Sequence, residues 1–139
     1  AAAGGGQDAG RPLAGVVRLH FDTGALIWQG TSRGSRCLDA GGGRPGPGAP
    51  LLVAVCEPRS EGQRFFLPRA AGLIRWEANA SLCVRAGNAT DANDSSVVLW
   101  GCNKSDGLQR WVIPDGTGPV RLEGSGRGCL AEWRRADAG

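Results

Sequence analysis

The sequence has no methionine and no tyrosine, a single histidine and three phenylalanines among its 139 residues. With His20 alone and no close Cys-x-x-Cys pair, it lacks the ligand spacings of zinc sites, and we expect no metal. No apolar run approaches the roughly 20 residues that a helix needs to cross a bilayer, and we expect no membrane span. A Gly-x-Ser-x-Gly elbow, a recognisable carboxylate pair and a phosphate loop are missing too, which predicts a non-catalytic domain without a cofactor.

The charge of the chain is weak and dispersed. There are 16 basic and 13 acidic residues, which gives a net charge of +3. All but one of the basic residues are arginine, and they are scattered from Arg11 to Arg135. This dispersal argues against nucleic acid as a partner, whereas acidic glycans and phospholipid surfaces stay open on charge alone. The length fits one compact domain.

The first ten residues, AAAGGGQDAG, are almost entirely alanine and glycine. They lack the basic start and the apolar stretch of a signal peptide, so we expect the sequence to begin after processing or inside a larger polypeptide. We predict that residues 1–14 are a linker or a disordered segment and that residues 15–139 form a single domain.

Every asparagine in the chain begins an Asn-x-Ser/Thr triplet. The four positions are Asn79, Asn88, Asn93 and Asn103. This triplet is the acceptor of N-glycosylation in the eukaryotic secretory pathway. We therefore predict a secreted or extracellular glycoprotein that carries glycans at all or some of these positions.

Five cysteines are regularly spaced. Cys37 and Cys56 are 19 residues apart, and so are Cys83 and Cys102. The equal spacing predicts two equivalent disulfides, which an oxidising compartment permits and each of which adds roughly 3 kcal/mol of stability. Cys129 is left without a partner in the chain and could bond to another chain.

The chain contains an internal repeat of 46 residues. Cys37, Cys83 and Cys129 are 46 residues apart, and Gln63-Arg-Phe recurs 46 residues later as Gln109-Arg-Trp. Such a period indicates a fold built from similar units. The first, second and third repeats open at Gly24, Gly72 and Gly118.

Each repeat begins with residues that alternate between apolar and mostly polar, which is typical of a strand with one buried face. The alternating apolar pairs are Leu26 and Trp28, Ile74 and Trp76, and Val120 and Leu122. Helical periodicity is absent, and no single repeat could bury its own apolar face. We predict an all-β domain in which three repeats close on each other, with residues 15–23 as the closing strand of a preceding repeat.

Three motifs carry a resemblance to a known family. Cys-Leu-Asp at residues 37–39, a strand ending in Trp-x-Cys at 100–102 and Gln-x-Trp at 109–111 resemble the ricin-type (R-type) lectins. The resemblance covers residues 15–133 and implies a β-trefoil with glycans or glycoproteins as partners. The strands assigned here number one fewer than a complete trefoil has, because the third repeat ends near Trp133. The trefoil is therefore either truncated or circularly permuted, with the strand at residues 16–19 as the missing one.

The resemblance also implies where a sugar would bind. R-type lectins use an Asp after the Cys-Leu step, an aromatic residue two positions before the second Cys, and an amide just before the glutamine of Gln-x-Trp. No repeat here carries all three. The first has the acid but Ala54 and Gly62 at the other two positions. The second has the aromatic but Arg85 in place of the acid and Leu108 in place of the amide, and the third has Ala131 for the acid. The candidate carbohydrate-binding residues are Asp39, Arg85, Trp100 and Gln109.

Each candidate also has a structural interpretation. Strand alternation turns Trp100 outward, where it could bind a partner or cover the neighbouring disulfide. Arg85 could bond an acidic sugar or simply lie at the surface. Asp39 is either a ligand or a turn residue that bonds its own backbone, and Gln109 could satisfy buried backbone groups. A glycan on Asn103 would crowd the surface of Trp100.

Two functions are compatible with these features. The first is a non-catalytic extracellular carbohydrate-binding module. The alternative, favoured by the incomplete sites, is a degenerate β-trefoil that serves as a structural or protein-interaction part of a larger extracellular assembly, with a protein bound through Trp100 or Cys129. Binding to glycans, with Trp100→Ala as the comparison, separates the two.

Overall fold

The computed structural model describes residues 3–5, 11–12, 15–18, 23–28, 35–41, 45–87, 97–114, 116–123 and 130–132. These residues form an all-β fold of short strands with two 3₁₀ turns, and none of their helices is long and apolar enough to cross a membrane. The strands are β1 Ala3–Gly5, β2 Arg11–Pro12, β3 Gly15–Arg18, β4 Thr23–Trp28, β5 Arg36–Asp39, β6 Leu52–Val55, β7 Phe65–Phe66, β8 Ala71–Gly72, β9 Arg75–Trp76, β10 Asn79–Ala86, β11 Val97–Gly101, β12 Trp111–Val112, β13 Arg121–Leu122 and β14 Leu130–Glu132. The turns are η1 Glu61–Gln63 and η2 Gly107–Gln109.

The strands pair antiparallel in three sheets. The largest has the order β11-β10-β9-β7-β4-β5-β6, with β3 also paired to β4. Two smaller sheets have the orders β13-β12-β8 and β1-β14-β2. The hairpins β5–β6 and β10–β11 hold the second and third strands of the first and second repeats.

The core is formed by the alternating apolar positions that the sequence predicts. Leu26, Ile74 and Val120, one from each repeat, are all fully buried, whereas Arg75 and Arg121 beside them reach solvent. Phe65 and Trp111, which follow the repeated Gln-Arg step, are buried in the same cluster. These buried residues therefore share one interior.

The first two repeats have the same strand pairing. Cys37 lies opposite Ala54, and 46 residues later Cys83 lies opposite Trp100. The turns that open the second and third repeats also match, since Gly72 and Gly118 both have positive φ, at 147° and 153°. Each of these two glycines lies against a proline ring, where a Cβ would approach to 3.2 Å.

The amino-terminal segment is paired where the sequence predicts a linker. β1 pairs with β14 in the register Gly5 to Leu130, and β2 pairs with the same strand through Pro12 opposite Ala131. The prediction of a linker or disordered segment for residues 1–14 is therefore wrong at Ala3–Gly5 and Arg11–Pro12. Backbone hydrogen bonds need no particular side chain, so an alanine- and glycine-rich strand gives no periodic signal.

The strand predicted before the first repeat is also present. β3 pairs with β4, placing Val17 opposite Ala25. This is the partner expected for the closing strand of a preceding repeat. In the same way, β7 pairs with β9 and β12 pairs with β13, each of which is the first strand of the repeat that follows.

Candidate functional site

Two disulfides close the hairpins of the first and second repeats. Cys37 bonds to Cys56 and Cys83 to Cys102, each pair with its Cα atoms 5.0 Å apart. These are the pairs predicted from the spacing. Each bridge joins a residue within the second strand to the residue that follows the third strand, so the hairpin is held at one end. Cys129 lies outside the described residues.

A buried glutamine joins the first hairpin to its 3₁₀ turn. The Oε1 atom of Gln63 accepts a hydrogen bond from the backbone N–H of Glu57 at 2.8 Å, and its Nε2 donates to the carbonyl oxygen of Val55 at 2.9 Å. Nε2 also donates to Oδ2 of Asp39 at 2.9 Å. The amide of Gln63 is therefore fully used within the protein.

Gln109 occupies the same place in the second repeat. Its Oε1 accepts from the backbone N–H of Asn103 at 3.0 Å, and its Nε2 donates to the carbonyl of Gly101 at 2.9 Å and to Oδ2 of Asp106 at 3.2 Å. The side chain is fully buried. This is the structural interpretation given to Gln109 from the sequence, and it argues against a contact with sugar, because the amide satisfies backbone groups and does not reach solvent.

Asp39 is half-buried and bonded to its own repeat. Oδ1 accepts from the backbone N–H of Gly41 at 2.7 Å, and Oδ2 accepts from Gln63. The first bond is an Asx turn, which is the structural interpretation given to this residue from the sequence. Gly62 makes this packing possible, because a Cβ there would lie against Oδ1 of Asp39 and 3.1 Å from the carbonyl oxygen of Gly41.

In the second repeat the charge at this position is reversed. Arg85, at the position of Asp39, donates from Nε to Oδ2 of Asp106 at 2.8 Å and from Nη1 to the carbonyl of Gly87 at 2.8 Å. Asp106 stands 46 residues after Ser60, so the acid of the second repeat comes from the turn instead of the strand. The pair is about four-fifths shielded from solvent.

Asp106 is a site residue that the sequence analysis misses. Its Oδ1 caps the 3₁₀ turn by accepting from the backbone N–H of Leu108 at 3.0 Å. Burial by itself raises the pKa of this carboxyl, but the hydrogen bond from Arg85, with those from Leu108 and Gln109, outweighs it and leaves the pKa below the ordinary value. Asp106 therefore stays ionised and holds Arg85 in place.

Trp100 lies at the surface beside this ion pair. It is 46% exposed, whereas Leu99, the neighbouring residue on β11, is fully buried. The guanidinium carbon of Arg85 lies 5.8 Å from the centroid of the indole ring, within the range of a cation–π contact. The outward orientation predicted from strand alternation is confirmed.

A glycine-containing segment of the first repeat borders the indole ring. The backbone N–H of Gly48 donates to the carbonyl of Leu99 at 2.7 Å, and the N–H of Leu99 donates to Ala49 at 2.9 Å. A Cβ on Gly48 would lie 3.6 Å from the Trp100 ring. Gly48 has a φ of +87°, a conformation that favours glycine, so the wall beside the ring has no side chain there.

Two of the four predicted glycan acceptors lie in the described part of the chain. Asn79 and Asn103 are both exposed. Oδ1 of Asn79 accepts from the backbone N–H and hydroxyl of Ser81, and Oδ1 of Asn103 accepts from the N–H of Ser105. The other two, Asn88 and Asn93, lie outside the described residues, and glycosylation stays a prediction at all four.

The structure thus brings together Arg85 and Trp100, adds Asp106 to them, and gives Asp39 and Gln109 partners within the protein.

Comparison with known proteins gives one match. The family model of the ricin-type beta-trefoil lectin domain matches residues 28–138. No curated protein matches significantly, and no solved structure does.

Proposed function

We propose that this chain, which belongs to the ricin-type beta-trefoil lectin domain family, is a non-catalytic carbohydrate-binding module whose sugar site lies at Trp100 and Arg85 of the second repeat. The observation that carries the proposal is the half-exposed indole ring, which stands beside a fixed guanidinium on the rim of a rigid, disulfide-closed hairpin. An aromatic face packs against the C–H surface of a sugar, and the guanidinium donates hydrogen bonds to its oxygens.

The same module is proposed to act outside the cell. Two disulfides persist in an oxidising compartment, and the exposed Asn79 and Asn103 triplets suit the secretory pathway. Within a larger protein, such a module would hold that protein near glycans or glycoproteins.

Glycan-array binding by the full chain with intact disulfides tests this function. The proposal expects at least one glycan to be bound, and Trp100→Ala to remove the binding. Leu52→Ala is the matched control, because Leu52 is an apolar side chain of β6 with nearly the same exposure, 44%, outside the site. Binding that survives Trp100→Ala would place the site elsewhere, and no binding to any glycan would refute the lectin function.

A protein-interaction role is supported by a different surface. β6 pairs with β5 alone among the described strands, and Leu52 and Val55 on it are 44% and 56% exposed. An open strand edge with apolar side chains can add a strand from a partner. If no glycan is bound, this edge is the surface to test, by asking whether Val55→Lys changes the association of the chain with an extracellular partner.

A further inference from the structure

We propose that the ligand of the Trp100 site is an acidic carbohydrate, whose carboxylate or sulfate group is bound by Arg85 while its ring packs on the indole. This inference rests on the proposed function and specifies its ligand. It concerns the position at which the first repeat has Asp39 and the second has Arg85.

The reversal of charge changes what the site can bind. A carboxylate accepts hydrogen bonds from the hydroxyls of a neutral sugar, as the oxygens of Asp39 accept from protein groups in the first repeat. A guanidinium has five donors and no acceptor, and its planar fork matches an oxyanion better than it matches a hydroxyl. The second repeat therefore offers donors where the first repeat has an acceptor.

Within the part of the chain that the structure describes, two nitrogen atoms of the guanidinium have hydrogen-bond partners. Nε donates to Asp106 and Nη1 donates to Gly87, and within the described residues Nη2 makes no hydrogen bond. The side chain of Arg85 is 21% exposed, and its guanidinium carbon lies 5.8 Å from the centroid of the Trp100 ring. Because two bonds already fix the arginine, a ligand would not have to order it, which favours binding.

Asp106 offsets the charge of Arg85, but the guanidinium still has donors that the carboxylate does not use. Both oxygens of Asp106 are bonded to donors of the protein, Oδ1 to the Leu108 N–H and Oδ2 to Gln109 and Arg85. Its lone pairs are thereby directed toward the turn and the arginine. Asp106 is a positioning residue, which holds Arg85 at 5.8 Å from the indole so that a single monosaccharide could touch both groups.

The test compares matched pairs of glycans on the array, the same glycan with and without a terminal sialic acid, and with and without sulfate. We expect the acidic member of a pair to bind about tenfold or more tightly than the neutral member, because charge-assisted bonds are the stronger ones. The preference should weaken in 1 M salt, which screens exposed charge. The sialylated and sulfated arms distinguish a carboxylate ligand from a sulfate ligand.

Substitutions test whether Arg85 causes the preference for acidic glycans. Arg85→Gln should remove the preference for acidic glycans, and Arg85→Lys should keep part of it, because the charge remains without the fork. Arg110→Gln is the matched control, since Arg110 donates to Glu123 at 2.7 Å in a similar ion pair outside the site. If Arg85→Gln fails to fold, the salt dependence of the unaltered chain and the Arg85→Lys comparison decide the matter.

The outcomes separate this inference from the function on which it rests. Equal binding of neutral and acidic members, or an acidic preference that survives Arg85→Gln in a folded protein, would overturn the acidic ligand and leave the lectin function standing. Failure to bind any glycan, neutral or acidic, would refute the lectin function itself.

Discussion

At the scale of single residues, the packing of Asp39 depends on the missing side chain of Gly62. A Cβ on Gly62 would lie against Oδ1 of Asp39. The Asp39 carboxylate accepts hydrogen bonds from Gly41 and Gln63, so it cannot move aside without losing them. The corresponding residue of the second repeat is Leu108, and the acid there comes from another position. Glycine therefore occurs in the repeat whose strand carries the acid, and leucine occurs in the repeat whose acid comes from the turn.

We predict that Gly62→Ala lowers the free energy of unfolding by about 1–3 kcal/mol, because the added Cβ overpacks the site. Urea denaturation followed by tryptophan fluorescence measures the change. Gly107→Ala, in the corresponding 3₁₀ turn, is the control, because a Cβ there meets nothing within 4 Å. Equal effects of the two substitutions would show that the contact with Asp39 does not matter.

The ion pair of Asp106 predicts a dependence of stability on pH. Because the pKa of Asp106 is lower in the folded state than in the unfolded state, its stabilising contribution is complete above the unfolded pKa and is lost as pH falls through the folded pKa. Asp106→Asn removes this contribution. The difference in unfolding free energy between the unaltered chain and this variant should therefore shrink between pH 6 and strongly acidic pH, and a constant difference would contradict the ionised pair.

Sequence alone predicts the outward orientation of Trp100 but not the role of Asp106, for a physical reason. The outward orientation of Trp100 follows from alternation along one strand, which is local. The role of Asp106 exists only when the η2 turn folds against β10, 21 residues away in sequence, and brings the acid to Arg85. The burial of Gln109 is also a tertiary effect, so the sequence leaves its sugar-binding and structural interpretations both open.

At the scale of elements, each 3₁₀ turn is tied to its hairpin by one glutamine amide. Gln63 and Gln109 make equivalent bonds to the backbone just before and just after the second cysteine of each disulfide. The turn cannot leave the hairpin without exposing or orphaning these groups.

We predict that Gln63→Leu and Gln109→Leu each lower the unfolding free energy by about 1–3 kcal/mol, since each leaves a backbone N–H and a carbonyl without their partner. Thermal or urea denaturation measures both. The two losses should be similar because the bonds are equivalent. If either substitution is neutral, the amide does not hold the turn, and a more direct role for that glutamine would have to be considered.

The strands of the first two repeats follow from periodicity, whereas the amino-terminal strands do not. Leu26 and Ile74 are fully buried, whereas Ile27 and Arg75, which follow them, are only partly buried, so this alternation is readable from the sequence. β1 consists of alanine and glycine, whose pairing with β14 depends on where the third repeat lies in space. The pairing is non-local, and no pattern within ten residues predicts it.

At the scale of the whole molecule, strands near the two ends of the chain pair with each other. β14 pairs with β1 as β5 pairs with β6, with Leu130 in the place of Leu38. β3 then pairs with the first strand of the first repeat. Of the two arrangements left open by the sequence, this pairing favours the circularly permuted trefoil.

Deletion of residues 1–14 tests this closure. If they were only a linker, the deletion would leave the urea midpoint unchanged. We expect it to lower the midpoint, because β14 loses both of its partners and exposes its edges. The far-ultraviolet circular dichroism of the shortened chain shows whether the remaining strands still fold.

The most direct measurement of the central claim is the response of the tryptophan indole N–H signals, in a ¹H–¹⁵N NMR spectrum, to an added glycan selected from the array. The Trp100 signal, assigned by its loss in Trp100→Phe, should shift in proportion to occupancy, while the signals of the buried Trp76 and Trp111 stay in place. Shifts confined to Trp76 or Trp111, or an unmoved Trp100 signal in the presence of a bound glycan, would contradict a sugar site at Trp100 and Arg85.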